Sequence, residues 1–580
     1  MNEVRRAILW TIFGFSMLML WDKWQIHNGH KGMFSPTPAV QAAAADKAMP
    51  AAATPAAAAS APAAKAAPAA EQGGSSAPTV PGERFTVSTD VLKLTLDTEG
   101  GSLVRAELLK YKDSNSKEQR NFVLLDDSAE RIYKAETGVV GGATVGNFPT
   151  HKTVMTASGP RQLEEGQNEL VLKFTSPAVG GIQLVKTYTL RRGAYDIGVQ
   201  HELINTSGAA IAPQLYFQLV RDGNKPVGES SFYSTFTGPA VYTEAKKYQK
   251  VEFSAIKKNN ATYEKSSTNG YIAMVQHYFA SAWLLPDGIQ RTISLDGVDI
   301  GSQMPDCCYR ASVLTPIDPI APGAKVSMSA KLFVGPQEEK RLEALAPGLE
   351  LVKDYGWVTI LAKPLYWLLD ALHGFLQNWG WSIVALVLLL KIAFYWLNAK
   401  AYASMAKMKA VNPRVMELRE RLKDKPQEMQ QEMMRIYREE KVNPLGGCFP
   451  IMVQIPVFIA LYWVLLSSVE MRGAPWVLWV TDLAAPDTSL GVWFGVPVGI
   501  LPIVMTLTSL LQTALNPAPP DPMQAKLMWF MPLAFSVMFF FFPSGLVLYW
   551  ITNNILSIAQ QWIINTRMGV PPQFNLPKFR

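Results

Sequence analysis

Apolar and polar side chains alternate with a period of two through most of the region from residue 84 to about residue 345. The stretch VLKLTLDTEGGSLVRAELL shows this alternation and is interrupted at Gly100 and Gly101, as expected for two strands joined by a turn. Residues 168–208 read as further strands separated by turns. Many short strands with one apolar face pack as two layered sheets. The pattern therefore predicts one large β-sandwich over residues 84–345.

The second half of the chain instead contains apolar runs of the length that a membrane helix needs. We predict five such spans, approximately at residues 380–398, 448–468, 493–512, 527–542 and 546–564. A sixth apolar run, residues 8–21, follows Arg5 and Arg6. It predicts an uncleaved transmembrane anchor within residues 1–28, with a cleaved signal peptide as the alternative.

Two connecting segments follow neither pattern. Residues 29–83 are rich in Ala and Pro and contain too few large apolar side chains to form a core, so they are predicted to be a linker. Residues 346–379 repeat Trp, Leu and Phe at helical spacing, interrupted by charged side chains. This is typical of an amphipathic helix on the outer membrane surface, although a core helix of the sandwich domain has the same pattern.

The distribution of charge gives these elements an orientation. The net charge is only +7 over 580 residues, but residues 399–442 carry eleven basic side chains against seven acidic ones. Excess Lys and Arg mark the cytoplasmic loops of membrane proteins. Residues 470–490 contain one basic side chain, Arg472, and belong on the outer side. Both termini, including the tail of residues 566–580, are then cytoplasmic, and the sandwich lies outside the inner membrane.

Residues 399–447 are too regular for a simple loop. Apolar side chains recur at helical spacing on each side of a break near residues 424–426, which predicts an antiparallel helical hairpin. Methionine is prominent on both helices, at Met405, Met408, Met429 and Met433. Flexible, polarisable Met side chains suit a surface that meets varied apolar partners, although they would equally hold the two helices together.

Polar side chains within the predicted spans concentrate in their cytoplasmic halves. Lys391 lies about 9 Å of helix from Leu397 at 1.5 Å per residue, and Tyr395 and Asn398 share its helix face. A lysine at mid-bilayer costs about 2.5–3.5 kcal/mol. The other polar positions lie in the third, fourth and sixth spans, at Gln454, Thr506, Thr508, Ser509, Gln512, Thr513, Thr552, Asn553, Asn554, Ser557, Gln560 and Gln561.

The outer halves of the same spans contain almost no polar side chain. A channel or an alternating-access transporter needs polar groups near the midplane and a path on both sides. The asymmetry instead predicts a polar pocket that is open to the cytoplasm and closed on the outside. Two simpler interpretations stay open: Lys391 extends its ammonium to the inner surface, and Gln454, Thr508 or Asn553 only hold helices together.

The sequence lacks the motifs of several other protein classes. The six histidines and three cysteines fall in no metal-ligand spacing, and there is no phosphate-binding GxxxxGK[ST] loop or GxSxG elbow. No cofactor, metal or sequence-specific nucleic acid partner is expected. The competing classes are a transporter or lipid scramblase, and a sugar-active enzyme carried by the sandwich, for which no carboxylate pair is evident.

Two stretches of the second half closely resemble the YidC membrane protein insertases of Gram-negative bacteria. They are QEMMRIYREEKVNPLGGCFPIMVQIPVFIALYW and DPMQAKLMWFMPLAFSVMFFFFPSGLVLYWITNNILSIAQQ. The resemblance covers anchor, linker, large domain and core. It implies an N-terminal anchor plus a five-helix core, together six transmembrane helices. It also implies a periplasmic β-sandwich of galactose-mutarotase-like fold.

The resemblance also implies a function without enzyme chemistry. Such proteins insert newly made inner-membrane proteins from the cytoplasmic side and help them fold, alone or with the Sec translocon and its accessory subunits. The implied partners are nascent membrane proteins, that translocon, the ribosome transiently, and the lipid bilayer. The implied substrate groove contains Lys391, where the family often has Arg, together with Gln454 and the aromatic Trp550. Thr508 and Asn553 are added to the groove on the depth pattern above.

Overall fold

A computed structural model of the chain describes residues 82–113, 120–141, 147–226, 235–300, 307–422, 425–440, 449–516, 522–567, 569 and 574. Residues 84–580 form one compact unit. The predicted anchor, almost all of the linker and most of the C-terminal tail lie outside the described residues.

Residues 84–336 form the strands of the predicted sandwich domain. In chain order they are β1 (Arg84–Ser88), β2 (Leu92–Asp97), β3 (Ser102–Lys112), β4 (Asn121–Asp127), β5 (Ile132–Gly141), β6 (Thr156–Ser158), β7 (Glu169–Thr175), β8 (Ile182–Arg191), β9 (Asp196–Asn205), β10 (Pro213–Arg221), β11 (Gly238–Thr243), β12 (Lys247–Lys250), β13 (Ser266–Ser267), β14 (Tyr271–Gln276), β15 (Phe279–Leu284), β16 (Arg291–Gly297), β17 (Tyr309–Pro316) and β18 (Lys325–Pro336).

The described strands form two antiparallel nine-stranded sheets. One has the order β1-β2-β3-β4-β5-β10-β17-β16-β13 and the other β12-β11-β14-β15-β18-β9-β8-β7-β6. Strand β7 shows why they pack together, because its buried and exposed positions alternate along ELVLKFT. The buried side chains form one core, in which Phe217 of one sheet meets Trp283 of the other at 5.2 Å between ring centroids. The predicted β-sandwich is confirmed.

Helices dominate the described residues that follow the sandwich. In chain order they are α1 (Phe253–Lys257) within the sandwich, then α2 (Glu339–Leu345), α3 (Thr359–Leu376), α4 (Trp379–Ala393), α5 (Tyr395–Arg421), α6 (Pro426–Glu439), α7 (Phe449–Ser467), α8 (Ile500–Leu515), α9 (Pro522–Phe539) and α10 (Ser544–Arg567). Two short hairpin strands, β19 (Val492–Trp493) and β20 (Val496–Pro497), precede α8.

The first predicted core span is bent rather than straight. Helices α4 and α5 meet at Phe394, whose φ and ψ of −92° and 11° are not helical, and their axes differ by 68°. Among the described residues no single helix combines the length and apolarity expected of a membrane span, whereas α4 and α5 do so together. The number of membrane spans therefore stays a prediction.

The second difference is at the start of the fourth predicted span. Helix α8 begins at Ile500 rather than at residue 493, because residues 492–497 form the β19–β20 hairpin. Gly495, with φ of 81°, supplies the left-handed conformation of the hairpin turn. Apolar composition alone does not distinguish such a hairpin from the first turns of a helix, which explains the misplaced boundary.

The sandwich domain and the helical core meet at a joint of polar contacts. The fully buried Lys353 donates to both carboxylate oxygens of Glu470, at 3.1 Å each, and the Tyr366 hydroxyl donates to Glu470 Oε1 at 2.7 Å. Nearby, His277 Nε2 of the β14–β15 turn donates to the Leu466 carbonyl of α7 at 2.9 Å. These contacts attach the C-terminal end of α7 to the sandwich.

Candidate functional site

The helices of the core expose apolar faces. On α8, Ile503, Leu507 and Leu511 follow one another at helical spacing and are 37%, 60% and 43% exposed. Helix α9 exposes Phe530 and Val537, each at 63%. Contiguous apolar faces of this size are rare on soluble monomers and mark surfaces that contact lipid or other proteins.

A small cavity lies between α4, α5, α7 and α10, among these apolar helices. Its volume is about 30 Å³, large enough for one water molecule. Four polar side chains line it, Lys391, Asn398, Gln454 and Asn553, and its remaining walls are Val387, Leu390, Phe394, Leu397, Val457 and Tyr549. We call it the groove cavity. It brings together three residues that the sequence predicts for the groove, from three different helices.

Lys391 occupies the last turn of α4 and reaches across to α10. Its ammonium donates a hydrogen bond to Ser557 Oγ at 2.7 Å, and Tyr402 of α5 contacts the same hydroxyl. Among the described residues Lys391 forms no ion pair with a carboxylate. An ammonium held by a neutral hydroxyl keeps its charge available to an incoming anionic group, which a built-in carboxylate would have neutralised.

Gln454 and Asn553 form the second polar contact of the groove cavity. The Gln454 amide Nε2 donates to Asn553 Oδ1 at 2.6 Å and so joins α7 to α10. A side-chain hydrogen bond between helices satisfies groups that lipid cannot satisfy. The pair therefore fixes one wall of the cavity, and each partner keeps further donor or acceptor capacity.

Thr508 lies outside the groove cavity. Its hydroxyl accepts from Asn554 Nδ2 at 3.2 Å, and the same amide donates to Ser509 at 2.9 Å. Thr508 also donates to the Met505 carbonyl of its own helix at 2.9 Å. These contacts join α8 to α10, and Thr508 is not part of the cavity lining that contains Lys391.

Trp550 is placed among aromatic rings instead of on the cavity wall. Its ring meets Phe458 edge-on at 4.8 Å and Phe539 at 5.0 Å. The side chain is half-buried. The neighbouring Tyr549 is the aromatic residue of this turn that lines the cavity.

The bend at Phe394 also changes which side chains accompany Lys391. The sequence places Tyr395 and Asn398 on its helix face, on the assumption of one straight helix. In the structure Asn398 lines the groove cavity, whereas Tyr395 is 45% exposed and is not part of its lining. Reasoning from the sequence did not select Tyr402, although its spacing of i+4 from Asn398 is the signal that would have identified it.

The four predicted methionines lie on α5 and α6, which pack against each other. Met408 and Met433 pack on the buried Val411 and Val415, and are part of the seam between the two helices. Met405 and Met429 are half-buried. Among the described methionines of α5 and α6, those with more than two fifths of their surface exposed are different ones, Met416 at 44% and Met434 at 43%.

A connecting loop, residues 468–499, contacts the N-terminal ends of three core helices, α4, α8 and α10. Asn378, the N-cap of α4, donates to the carbonyls of Pro475 and Trp476 at 3.3 and 3.5 Å. The Ser544 and Gly545 amides of α10 donate to the Ala485 and Leu483 carbonyls at 2.8 and 2.9 Å. The Leu501 amide of α8 donates to the Asp487 carboxylate at 2.8 Å. This end of the core is therefore closed by protein.

Metal chemistry receives no support from the part of the chain that the structure describes. No group of three or more His, Cys, Asp or Glu side chains there has the geometry to hold a metal ion. The groove cavity offers an ammonium, amides and the Tyr549 hydroxyl, which bind and orient polar groups but contain no nucleophile–base pair.

Exposed apolar faces around a polar cavity define a helical membrane protein with a large β-sandwich domain. Comparison with known proteins agrees along the whole chain. Residues 84–368 match the family model described as the YidC periplasmic domain, and residues 371–570 match the model of the 60Kd inner membrane protein. Over 569 residues the chain is 52% identical to the membrane protein insertase YidC of Cupriavidus necator, covering 98% of each chain.

Other relatives and solved structures are similar as well. The membrane protein insertases YidC of Janthinobacterium sp. and Bordetella pertussis are 50% and 51% identical; 98% of this chain is covered in each comparison, against 100% and 98% of the relatives. An active YidC insertase crystal structure matches with a TM-score of 0.37 and 18% identity, covering 82% of this chain and 91% of that one. A galactose mutarotase related enzyme from Lactobacillus acidophilus gives a TM-score of 0.29 and 7% identity over 43% of this chain and 97% of its own.

The chain belongs to the YidC family of membrane protein insertases. It is a bacterial inner-membrane protein with a periplasmic β-sandwich domain, and it acts on membrane protein substrates in a bilayer. Insertion is a transfer between environments and not an enzymatic reaction.

Proposed function

We propose that this insertase receives the short polar segment of a new membrane protein between the helices that line the groove cavity, which must separate to admit it, while the adjoining apolar segment moves into lipid. The observation that supports the proposal is the position of Lys391. Its ammonium lies among apolar helices, without a carboxylate partner among the described residues, beside the amides of Gln454 and Asn553. Lys391 is thus an uncompensated cation where a polar chain segment needs a temporary binding partner.

The proposed topology has six spans, with both termini in the cytoplasm and the sandwich in the periplasm. The exposed face of α3 supports its placement on the outer membrane surface, because Ile360, Trp367 and Phe375 are 86%, 69% and 85% exposed on one side. The opposite face packs on the core through Ala362, Tyr366 and Leu369. The basic α5–α6 segment is then cytoplasmic, which agrees with its excess of Lys and Arg.

The same topology makes the groove open to the cytoplasm and lipid and closed on the outside. The connecting loop of residues 468–499 would form the outer closure, because it holds the ends of α4, α8 and α10. A substrate hairpin enters from the cytoplasm, and acidic groups in its short outer segment are attracted to Lys391. The membrane potential, positive outside, then favours their transfer by about 2.3 kcal/mol per charge per 100 mV.

The α5–α6 hairpin is proposed to be the first contact of the substrate or of the ribosome on the cytoplasmic side. The exposed Met416 and Met434 and the flanking basic side chains support this role. Met408 and Met433 have the structural role of holding the hairpin together. Further proposed partners are the Sec translocon and its accessory subunits, for substrates whose outer domains are too large for the groove alone.

Depletion of the protein in its native cell, followed by complementation, tests this function. Protease protection of a small membrane protein reports insertion, and the complementing variants are the native chain, Lys391→Arg and Lys391→Ala. We expect Lys391→Arg to restore insertion and Lys391→Ala to restore it poorly for substrates with acidic outer segments. Normal insertion of such substrates by Lys391→Ala would exclude the charge of Lys391 from the mechanism. Solute or lipid flux through liposomes containing only this chain would instead indicate the competing transporter or scramblase class.

A further inference from the structure

The tip of the β19–β20 hairpin is the most exposed apolar feature of the connecting loop. Val492 and Trp493 are each 62% exposed, and Phe494 is fully exposed. Phe494 also has a φ of 52°, a left-handed conformation that costs a residue with a Cβ about 1–2 kcal/mol. A soluble turn would place Gly or Asn at such a position. The chain instead places an unburied aromatic ring there.

Hydrogen bonds hold the hairpin at the start of α8. The Leu490 amide donates to the Val498 carbonyl at 3.0 Å, and the Val498 amide donates to the Gly491 carbonyl at 2.9 Å. The buried Asp487 then accepts from the amides of Ser489 and Leu501, at 3.0 and 2.8 Å. The tip is therefore held at a fixed position relative to the start of α8.

The loop around the tip carries almost no charge. Residues 473–499 contain no Lys, Arg or Glu. Their two acidic residues are both engaged by backbone amides at a distance from the tip, Asp482 by Ala484 at 2.8 Å and Asp487 as described. An aqueous protein-binding surface normally combines an apolar centre with a polar rim, and this tip has no such rim of charges. The surrounding chemistry fits a lipid better than a soluble partner.

The length of α8 leads to the same conclusion. Its 16 residues extend about 24 Å, whereas the hydrocarbon core of a bilayer is about 30 Å thick. The missing length, about 6 Å, is within reach of two hairpin residues at about 3.3 Å each. Together with the exposed Ile503, Leu507 and Leu511 of α8, the exposed Val492, Trp493 and Phe494 of the tip would supply the apolar length that a bilayer needs.

We propose that Val492, Trp493 and Phe494 insert into the outer leaflet of the inner membrane and anchor the outer end of α8 in lipid. Aromatic rings at the boundary between headgroups and acyl chains commonly serve as such anchors. This inference rests on the proposed topology, which places the connecting loop on the outer side. It does not depend on the role proposed for Lys391.

A diazirine-containing amino acid, incorporated at position 494 of the full-length chain in cells, tests the proposal. Illumination captures whatever surrounds the side chain, and mass spectrometry separates lipid, protein and water adducts. Position 318, an exposed Asp in the loop between β17 and β18, is the matched control. It lies near the start of β18, about 40 Å along that strand from the end that leads to the core.

Lipid adducts at position 494, at least about tenfold more abundant than at position 318, are the expected result. Water adducts alone, or adducts to another protein or a second copy, would overturn the proposal. Insertion activity of the same labelled chains, measured by protease protection, is a separate readout. Normal insertion without lipid adducts refutes only the lipid anchor, whereas lipid adducts without insertion leave the anchor standing and count against the proposed function.

Discussion

The Lys391 ammonium of α4 donates a hydrogen bond to the Ser557 hydroxyl of α10 at 2.7 Å. The two residues are 166 positions apart in the chain. Ser557 gives the ammonium a defined position without neutralising its charge. The pair also joins the bent α4–α5 unit to α10, so it contributes to the packing of the helices.

Loss of the positive charge at position 391 should slow the insertion of substrates with acidic outer segments. Lys391→Ala removes the attraction between the ammonium and the acidic segment. If that attraction is worth about 1.4 kcal/mol in the rate-limiting step, the insertion rate falls about tenfold. Lys391→Glu should be worse because it repels the same segments, and Lys391→Arg should be close to normal. The measurement is protease protection over time, with substrates that differ only in the acidity of the outer segment.

The matched control for this series is Lys400→Ala, because Lys400 is exposed and its ammonium lies over the Trp396 ring at 3.7 Å. We expect Lys400→Ala to insert all substrates at the normal rate. Equal losses for acidic and neutral outer segments in Lys391→Ala would mean that the lysine supports the fold and does not attract substrate.

Removal of the hydroxyl at position 557 should release the ammonium of Lys391. Ser557→Ala should lower insertion of acidic substrates about two- to fivefold, since a hydrogen bond is worth about 0.5–1 kcal/mol. Ser557→Thr keeps the hydroxyl and should be near normal. If Ser557 acts only by positioning Lys391, the double variant with Lys391→Ala should insert no more slowly than Lys391→Ala alone. Additive losses in that double variant would contradict the positioning role.

The contact between Gln454 and Asn553 should contribute modestly to the stability of the core. Gln454→Leu leaves Asn553 without its partner, and the expected loss is about 0.6–1.7 kcal/mol, the range found for side-chain hydrogen bonds between membrane helices. Thermal unfolding of the purified full-length chain in detergent measures it. Gln561→Leu is a useful comparison, because the Gln561 amide contacts the Leu515 carbonyl and Asn516 at a longer 3.3 Å and should lose less. A larger loss of stability in Gln561→Leu than in Gln454→Leu would contradict this prediction.

The sequence predicted best the features that depend on local periodicity. Period-two alternation identified the sandwich, because its strands bury one face each. Apolar runs identified the core helices, because apolar length is a property of a continuous segment. The depth of Lys391, Gln454 and Asn553 predicted a common polar pocket, and the structure places all three on the groove cavity. Whether substrates use that cavity stays a prediction.

Features that depend on three-dimensional packing could not be predicted in this way. The bend at Phe394 involves neither Pro nor Gly, so no local signal marks it, yet it exposes Tyr395 and keeps Asn398 in the cavity. Thr508 contacts Asn554 of α10 and is not part of the cavity lining, an outcome that depends on how α8 packs against α10. Trp550 joins an aromatic cluster because its neighbours are Phe458 and Phe539, from two other helices.

The buried ion pair at the joint between the domains should be expensive to break from one side. Lys353→Met leaves the Glu470 carboxylate without its cation, and removal of one partner from a buried pair costs about 3–5 kcal/mol. Lys353→Met combined with Glu470→Leu should recover much of that loss. Lys363→Met is the control, because Lys363 is 38% exposed and 3.8 Å from Glu350, and its loss should stay below about 1 kcal/mol. Equal destabilisation by Lys353→Met and Lys363→Met, measured by thermal unfolding, would contradict a special role for the buried pair.

The buried His277 should make the joint sensitive to acid. The pKa of His277 is lowered to about 4, mainly by burial in the joint; the hydrogen bond donated to the Leu466 carbonyl raises the pKa, and the positive charge of Arg472 lowers it. Because the unfolded chain has the ordinary pKa of about 6.5, only the unfolded state takes up this proton between pH 6.5 and about 4. The contribution to stability is therefore complete above pH 6.5 and falls as the pH decreases, by at most about 3 kcal/mol at pH 4.

His277→Gln retains an amide donor for the Leu466 carbonyl and has no titrating ring. Its unfolding temperature should depend less on pH than that of the native chain, with the difference growing from pH 7 to pH 4.5. The half-buried His151 and the buried His201 also have pKa values lowered by burial, and they are present in both chains, so their effect cancels in the comparison. Parallel curves for the two chains between pH 7 and pH 4.5 would show that His277 is not the acid-sensitive group of the joint.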